Sequence, residues 1–354
     1  MKRKKRTYKK NSITKQKMMK AIDGSERAPR NRTLTIDDKE RKALQSRFIS
    51  TTKPMVVSEI INKTFNNDLF EVIDYFPEKS VDLLVIDPPY NLDKDFNGYK
   101  FNKSNDDAYI DYLESWFPKV IRLLRQTGSL YICGDWKCTS ALYRVVSKYL
   151  TVRNRITWQR EKGRGAKSNW KNCTEDIWFA TVSDDYYFDV DSVKMKRKVI
   201  APYKENGKPK DWEETEDGNF RLTHPSNFWD DITIPYWSMP ENTDHPTQKP
   251  EKLIAKLILA SCPAGGLVFD PFLGSGTTSV VAKKLNRNYC GIELNNEYCC
   301  WAEKRLEQAS EDNSIQGYSD GLFWERNTLN LQKENGKKTP KPSSIELSLF
   351  EAGK

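Results

Sequence analysis

The feature that most constrains the fold is a short apolar segment, Val81–Ile86, which is followed by Asp87, two prolines and Tyr90. Its length and its branched residues predict a strand buried on both faces, as in parallel sheets. Pro88 and Pro89 cannot donate to a sheet ladder, so the strand must end before them. Asp87 is therefore predicted at the carboxyl end of a strand, where open α/β sheets bind their ligands.

A second predicted strand, 267–270, also ends in an acid followed by a proline, and here the acid is Asp270. The turn after it contains Gly274 and Gly276 and leads into a predicted helix over 277–285. Glycine allows a close approach of backbone to a ligand, and a helix N-terminus offers free N–H groups to a carboxylate. The pattern predicts a second binding site at the same edge of the sheet.

The strand predicted over 289–293 ends in Glu293, where an acid accepts hydrogen bonds from ribose hydroxyls in nucleotide-binding βαβ units. A P-loop is excluded because the turn lacks Gly-Lys-Ser/Thr, and a dinucleotide fold is disfavoured because residue 279 is serine. Taken alone, a Gly-x-Gly turn can also be nothing more than a tight turn.

The order of the remaining predicted elements favours an α/β fold with a largely parallel sheet. A helix is predicted to start with Thr35 as its capping hydroxyl, with acids in its first turn, and to end near Phe48. The other predictions are a strand over 55–63, an amphipathic segment over 69–75, a long polar connection over 91–107, a helix over 108–125, strands over 129–133, 156–158 and 176–181, and helices over 250–261 and 296–308.

Charge is concentrated at the start of the chain. The net charge is +9, but the first 20 residues hold ten Lys or Arg and no acid, so the rest of the chain sums to about −1. We expect this arm to be solvated and able to add sequence-independent affinity for phosphates. Seven cysteines without CxxC spacing and only two histidines argue against a metal site. Reduced thiols, and the lack of an apolar run of membrane length, predict a cytoplasmic protein without a membrane partner.

Four motifs in order carry a family resemblance: Asp87-Pro88-Pro89-Tyr90, His245-Pro246-Thr247-Gln248-Lys249-Pro250, the turn from Asp270 to Thr278, and Gly291-Ile292-Glu293. Over about residues 55–310 the chain resembles the DNA amino-methyltransferases that use S-adenosylmethionine, in the β-class arrangement. The resemblance implies a Rossmann-like class I methyltransferase sheet, mixed and with about seven strands, and an inserted target-recognition segment.

Charge and composition predict a basic, disordered arm over 1–32 and a polar, largely irregular extension over 311–354. Between them, the resemblance implies a catalytic half over 33–183, a target-recognition insert over 184–243 and a cofactor half over 244–310. The insert has few aliphatic residues and is predicted to lack a conventional core.

The resemblance also assigns site residues. The catalytic residues would be Asp87, Pro88, Pro89 and Tyr90. The carboxylate of Asp87 and the Pro88 carbonyl would accept the N–H groups of the target amine, and Tyr90 would stack on the target base. Besides Asp87, the residues expected to hold S-adenosylmethionine are Asp68, Thr247, Lys249, Asp270, Phe272, Gly274, Gly276, Thr277, Thr278 and Glu293. His245 is either part of this site or a loop-packing residue.

Double-stranded DNA is the expected partner, with a homodimer and a cognate restriction endonuclease as further candidates. The glycine-rich basic loop over 160–167 is either a solvated connection or a phosphate contact. The residues predicted to contact DNA are Arg160, Lys162, Arg164, Lys167, Lys194, Lys196, Arg197 and Lys198.

An initial Asp in the catalytic motif favours adenine N6 as the methylated amine, and cytosine N4 is the alternative. Base flipping is expected, because the amine is out of reach inside a duplex. Two other classes remain open: a catalytically inactive DNA-recognition subunit, and a methyltransferase that acts on RNA or protein.

Overall fold

The computed structural model describes residues 28–96, 98–160, 168, 170–199, 204–206, 208–215, 218–326 and 328. Most of the predicted basic arm and the loop residues Lys162, Arg164 and Lys167 lie outside this part of the chain. Its α-helices are α1 (Asp38–Gln45), α2 (Val57–Ile60), α3 (Leu69–Val72), α4 (Asp106–Ile121), α5 (Thr139–Tyr149), α6 (Glu251–Ser261), α7 (Thr277–Lys284) and α8 (Asn296–Glu311).

The described strands build one large sheet and three smaller ones. In chain order they are β1 (Lys63–Asn66), β2 (Val81–Ile86), β3 (Lys94–Phe96), β4 (Tyr99–Phe101), β5 (Leu124–Gly134), β6 (Thr151–Gln159), β7 (Thr174–Thr181), β8 (Met195–Lys198), β9 (Lys204–Glu205), β10 (Lys208–Pro209), β11 (Glu213–Thr215), β12 (Gly218–Thr223), β13 (Phe228–Trp229), β14 (Leu267–Asp270), β15 (Asn288–Glu293), β16 (Tyr318–Ser319) and β17 (Leu322–Trp324).

The large sheet has the order β1-β15-β14-β2-β5-β7-β6-β13. All neighbours from β1 to β5 pair in parallel, whereas β7 is antiparallel to both β5 and β6. The predicted mixed α/β fold is thus confirmed. Because β14 and β2 are adjacent and parallel, their carboxyl ends meet at one edge of the sheet, and these ends carry Asp270 and Asp87.

The central strand β2 is buried on both faces, as its sequence predicted. Leu84 and Ile86 join the apolar cluster on one side, which includes residues of α4 and α5. Leu83 and Val85 join the cluster on the other side, which includes α6 and part of the insert. Alternate side chains of a strand point to opposite faces, so the sheet is a packed layer between two helical layers.

The insert has its own five-stranded sheet, in the order β11-β12-β8-β17-β16. Two of these strands come from the C-terminal segment, so the prediction that the chain is largely irregular after residue 311 is wrong for 318–324. The prediction of an insert without a core is also wrong, because Met195 of the insert is buried in one cluster with Phe323 of β17, and the buried Phe220 packs edge-on against Trp324 of the same strand. Neither error could be avoided by local reasoning, since β8 and β17 lie far apart in the chain.

Helix α6 joins this insert to the large sheet, and every one of its residues is buried. Lys256 Nζ lies 2.9 and 3.0 Å from the two carboxylate oxygens of Asp231, and Lys252 Nζ lies 2.6 Å from the same carboxylate. Lys252 also donates to the carbonyl of Trp324 in β17. Buried charges need such partners, so these contacts fix the insert and β17 to α6.

Two N-terminal predictions are corrected. The predicted strand over 55–63 is instead helix α2 followed by β1, because the Glu59 carboxylate accepts a hydrogen bond from the Val56 N–H at 2.9 Å and closes a helical turn. Helix α1 is capped by Asp37, in a capping box with Glu40, rather than by Thr35, and it ends at Gln45 rather than near Phe48.

The sequence also does not predict a hairpin and a helix in the first half of the chain. The polar connection over 91–107 contains the hairpin of β3 and β4, and helix α5 follows β5. Among the described residues, no helix is both long enough and apolar enough to cross a membrane.

Candidate active site

A cavity of about 550 Å³ opens at the carboxyl edge of the large sheet, where β2 and β14 end. Residues from both halves of the chain line it. It brings together the following predicted site residues: Asp68, Asp87, Pro88, Pro89, Tyr90, Arg160, Thr247, Lys249, Asp270, Phe272, Gly274, Thr277, Thr278 and Glu293. Gly276 and the insert residues Lys194, Lys196, Arg197 and Lys198 do not line it.

Asp87 is held by two donors, one on each carboxylate oxygen. The Tyr90 hydroxyl donates to Oδ1 at 2.8 Å, and the Lys249 ammonium donates to Oδ2 at 2.6 Å. The same ammonium lies 3.1 Å from the Tyr90 hydroxyl. The side chain of Asp87 keeps 24% exposure, so it still faces the cavity. This geometry leaves an oriented carboxylate able to accept a further N–H.

Lys249 contacts a second carboxylate as well, because Glu175 Oε2 lies 3.4 Å from its Nζ. Burial alone would lower the pKa of Lys249, but the carboxylates of Asp87 and Glu175 outweigh it and raise that pKa above its ordinary value. Lys249 is therefore a fixed positive charge between two acids. The sequence predicts Lys249 only as a cofactor contact and not as a partner of Asp87.

The second strand end, Asp270, has neutral partners. The Thr278 hydroxyl donates to Oδ2 at 2.6 Å, and the Phe272 N–H donates to Oδ1 at 3.0 Å. Burial raises the pKa of Asp270 to about 7, against the opposing effect of these two hydrogen bonds. The turn that follows is closed by Gly274, whose φ of +55° suits glycine.

The two glycines of the turn have different surroundings. A Cβ on Gly274 would lie 3.0 Å from His245 Nε2, at the cavity wall. A Cβ on Gly276 would lie 2.5 Å from the Cβ of Ala302, away from the cavity. Gly276 has φ of +81° and precedes α7, so its structural role is to let that turn pack against α8.

Glu293 supports the same turn from the end of β15. Its carboxylate accepts the N–H of Gly274 on Oε2 and that of Asn295 on Oε1, each at 2.8 Å. Burial raises the pKa of Glu293 to about 7. Each oxygen retains a lone pair for a hydroxyl donor on the cavity side. Asp68 lines the cavity further along, where it caps α3 through the Phe70 N–H at 2.9 Å.

His245 lines the cavity and also packs in its wall, so both roles that the sequence left open are compatible with its position. Its ring meets Tyr298 edge-on, with ring centroids 4.5 Å apart. Its Nδ1 accepts the Thr247 N–H at 3.3 Å, and burial lowers its pKa to about 3. The ring is therefore neutral, and it orders the segment that carries Thr247 and Lys249.

Sequence reasoning did not identify Glu175. Its side chain lies in the cavity, pairs with Arg160 and is 4% exposed. Because β7 runs antiparallel to β5, the amino end of β7 lies at the edge where the parallel strands have their carboxyl ends. The sequence predicts that this strand begins at residue 176. The predicted site therefore does not include the first two residues of the observed strand, Thr174 and Glu175. Arg160, predicted to contact DNA, is thus also part of the cavity.

The insert residues predicted to contact DNA lie on β8 and beside it. Lys194 pairs with Asp191 at 2.9 Å, and Arg197 lies 3.9 Å from Glu325. The Lys196 ammonium lies over two rings, 4.9 Å from the Phe220 centroid and 4.6 Å from that of Trp324. Their contact with DNA stays a prediction.

Several known proteins are similar to this chain. The model of the DNA methylase family N6_N4_Mtase matches residues 81–304. The type II methyltransferase M.HpaI of Haemophilus parainfluenzae is 33% identical over 65% of this chain and 69% of its own length. The DNA adenine methyltransferase YhdJ of Escherichia coli K12 is 33% identical over 69% of this chain and 82% of its own length.

The type II methyltransferase M1.MboII of Moraxella bovis is 34% identical over 70% of this chain and 97% of its own length. Among solved structures, the PvuII DNA methyltransferase (cytosine-N4-specific) has a similar fold, with a TM-score of 0.53 and 18% identity over 74% of this chain and 92% of that one. The family match spans both strand ends of the cavity, and this chain therefore belongs to the DNA methylase family N6_N4_Mtase.

Proposed function

We propose that this protein is a site-specific DNA methyltransferase that moves the methyl group of S-adenosylmethionine to the N6 amine of an adenine. The observation that carries the proposal is the juxtaposition, in one cavity, of the oriented Asp87 carboxylate and the turn that follows Asp270. The membership of the DNA methylase family supports the reaction class.

The Asp87 end of the cavity suits an exocyclic amine. Such an amine donates two N–H groups and shares its lone pair with the ring. When Asp87 and the carbonyl of Pro88 accept these N–H groups, the nitrogen moves toward sp³ geometry and its lone pair becomes available. Tyr90 and Asp87 are held by their mutual hydrogen bond of 2.8 Å, so the acceptor is oriented before the substrate arrives.

The Asp270 end fits the cofactor. A volume of about 550 Å³ is within the range of small-molecule sites. Asp270 and Glu293 are buried carboxyl groups that accept hydrogen bonds from their own backbone turn and keep lone pairs for the ammonium and hydroxyl groups of a nucleoside amino acid. Phe272, which lines the cavity and packs edge-on against Trp116 at 5.0 Å, supplies an apolar wall.

When bound, S-adenosylmethionine would supply a methyl group on a sulfonium sulfur, and that sulfur would keep the electron pair of the C–S bond as a neutral thioether. The amine nitrogen forms the new N–C bond with its lone pair, acquires a positive charge and then loses one proton. Asp87 is the acceptor in place for that proton, which passes from it to solvent. Positioning and fixed charges supply the catalysis, and no covalent link to the protein is formed.

The choice of adenine rests on the acid that begins the catalytic motif and on the relative named as a DNA adenine methyltransferase. Cytosine N4 is the competing amine, since the similar fold of the PvuII enzyme is named as cytosine-N4-specific. For either base we propose that the target is flipped out of the duplex, because a base in the stack cannot reach Asp87. The names of the type II relatives suggest a restriction-modification setting.

The test is to incubate the purified protein with S-adenosylmethionine labelled in its methyl group and with genomic DNA amplified by PCR, which carries no modified bases. The DNA is then digested to nucleosides, which are separated by liquid chromatography and identified by mass spectrometry. We expect labelled N6-methyladenine. Labelled N4-methylcytosine would reassign the target base, and the absence of label from DNA under conditions that retain cofactor binding would contradict the proposed reaction.

A further inference from the structure

Two donors in the cavity lie between the same two carboxylates. Lys249 Nζ is 2.6 Å from Asp87 Oδ2 and 3.4 Å from Glu175 Oε2. The Tyr90 hydroxyl is 2.8 Å from Asp87 Oδ1 and 3.4 Å from Glu175 Oε2. Both donors therefore have two acceptors within reach, and both lie nearer to Asp87.

The side chain of Glu175 is held in one position by its burial, by the strand that carries it and by Arg160. It is 4% exposed and lies at the start of β7, where the strand pairing restrains its backbone. Its Oε1 is held by Arg160, whereas its Oε2 faces Tyr90 and Lys249. One oxygen is thus anchored, and the other points at the donors that also hold Asp87.

The proposed reaction makes a specific demand on Asp87. The carboxylate has to accept an N–H of the target amine and afterwards the proton that the methylated amine releases. A lysine ammonium at 2.6 Å weakens a carboxylate in both respects, because the positive charge stabilises the free anion. A second acid that competes for Lys249 offsets this effect without removing the lysine.

We propose that Glu175 is a positioning residue that shares Lys249 and Tyr90 with Asp87 and so keeps Asp87 able to receive the target amine and its proton. This inference rests on the proposed methyl transfer. Glu175 acts here through Lys249 and Tyr90 and does not itself touch the reacting atoms.

The proposal differs from a purely structural role for the Arg160–Glu175 pair. A structural pair would stabilise the start of β7, and its loss would lower the stability and the cofactor affinity together. A positioning role concentrates the loss in the turnover number, since cofactor binding takes place at the turns after Asp270 and Glu293. The two roles can be separated by measuring kcat, the cofactor KM and stability in one set of variants.

The test variant is Glu175→Gln, which keeps the shape and one acceptor oxygen but removes the charge. Methyl transfer to PCR-amplified genomic DNA is measured with saturating DNA. We expect kcat to fall about tenfold, with the cofactor KM changed by less than about twofold. Glu114→Gln is the matched control: it removes the carboxylate that pairs with Lys148 at 2.5 Å outside the cavity and is expected to leave kcat unchanged.

A double-mutant cycle tests whether Glu175 acts through Lys249. In a Lys249→Gln background, Glu175→Gln should lower kcat by less than about twofold, because the ammonium that it competes for is gone. An equal loss in both backgrounds, or a kcat for Glu175→Gln at the level of the original protein, would overturn the inference. If Lys249→Gln has no measurable rate, the pH profile of Glu175→Gln decides.

In that profile we expect the acid limb of kcat to move to lower pH by about one unit, because Lys249 then pairs with Asp87 alone. The charged and titratable groups that line the cavity around Asp87 include Tyr90, Lys94, Cys133, Arg160, Glu175, His245, Lys249 and Asp270. An unchanged limb would overturn the inference. A protein that transfers no methyl group even with its original sequence would instead contradict the proposed function, so the two failures are distinct.

Discussion

The two strand ends that form the cavity look alike in sequence and differ in electrostatics. Asp87 directly follows β2 and Asp270 is the last residue of β14, each aspartate is followed by a proline, and the two strands are neighbours in the sheet. Asp87 is paired with the Lys249 ammonium, whereas Asp270 accepts hydrogen bonds from a hydroxyl and a backbone N–H. Neutral donors do not compensate for burial, so the pKa of Asp270 rises to about 7.

The difference shows that the partners of an acid decide its chemistry more than its place at a strand end. A carboxylate held by an ammonium on one oxygen and a hydroxyl on the other is an oriented acceptor, which suits an amine that must be oriented. A carboxyl group with a pKa near 7 changes its charge in the neutral range, which suits a site that binds and releases a charged ligand. Four predictions test this contrast, from the largest expected effect to the smallest.

The largest loss in the rate of methyl transfer is expected when Asp87, which follows β2, is replaced. Asp87→Asn keeps the shape but removes the charge that localises the amine lone pair, and Asp87→Ala also removes the acceptor. We expect the rate of methyl transfer to fall by about 10³-fold or more in each, with cofactor affinity within about threefold. Rates from labelled cofactor and affinities from calorimetry check this. Retained activity would remove Asp87 from the mechanism.

Replacing Asp270, at the end of β14, should instead weaken cofactor binding and leave kcat nearly unchanged. Asp270→Ala removes the acceptor of Thr278 and Phe272, which order the turn, and we expect cofactor affinity to fall by about 100-fold. At saturating cofactor, kcat should remain within about threefold. Thr278→Val is the milder control, which loses one hydrogen bond. A loss confined to kcat would contradict the division of labour between the two ends.

A structural effect is expected within the same turn. Gly276→Ala puts a Cβ 2.5 Å from that of Ala302 at a positive φ, and we expect a loss of about 2 kcal/mol in the free energy of unfolding. The surviving folded protein should bind the cofactor normally. Adding Ala302→Gly should restore part of the stability. Denaturant unfolding measures both, and a loss of cofactor affinity without a loss of stability would place Gly276 in the binding site instead.

The smallest effect is a pH dependence of cofactor binding. Burial raises the pKa of both Asp270 and Glu293 to about 7, so both are largely protonated at pH 6 and largely ionised at pH 8. Ionised carboxylates are the better acceptors, so cofactor affinity should rise about fivefold over this range. The rise should be smaller in Glu293→Gln and unchanged in Glu114→Gln, which alters a carboxylate outside the cavity. Calorimetry at both pH values tests it, and an equal rise in all three proteins would exclude Glu293 as its source.

The sequence was sufficient to predict the residues at the strand ends. Prolines after Asp87 and Asp270 and the glycines after Asp270 end the strands locally, so the positions of these acids did not depend on distant contacts. The fold class followed from the same alternation of strands and helices. The family resemblance added Lys249, which no local pattern assigns to a site.

The residues that were missed depend on contacts between distant parts of the chain. Glu175 reaches the cavity only because β7 runs antiparallel to β5, and strand direction is a property of the assembled sheet. Strand β17 has only three residues, and it is a strand because β8 and β16 lie beside it. Short segments of this kind have no periodicity that could be recognised before the fold is known.

The pairing of β17 with β8, together with the contacts of Lys252 and Lys256 to Asp231, has a consequence for engineering. The five-stranded sheet of the insert is built from two separate stretches of the chain, so a transplant of 184–243 alone would carry a sheet with an unpaired edge and leave the charges of α6 without their partner. A chimaera designed to exchange the insert should transfer 315–326 with it and retain an acid at position 231 opposite the two lysines.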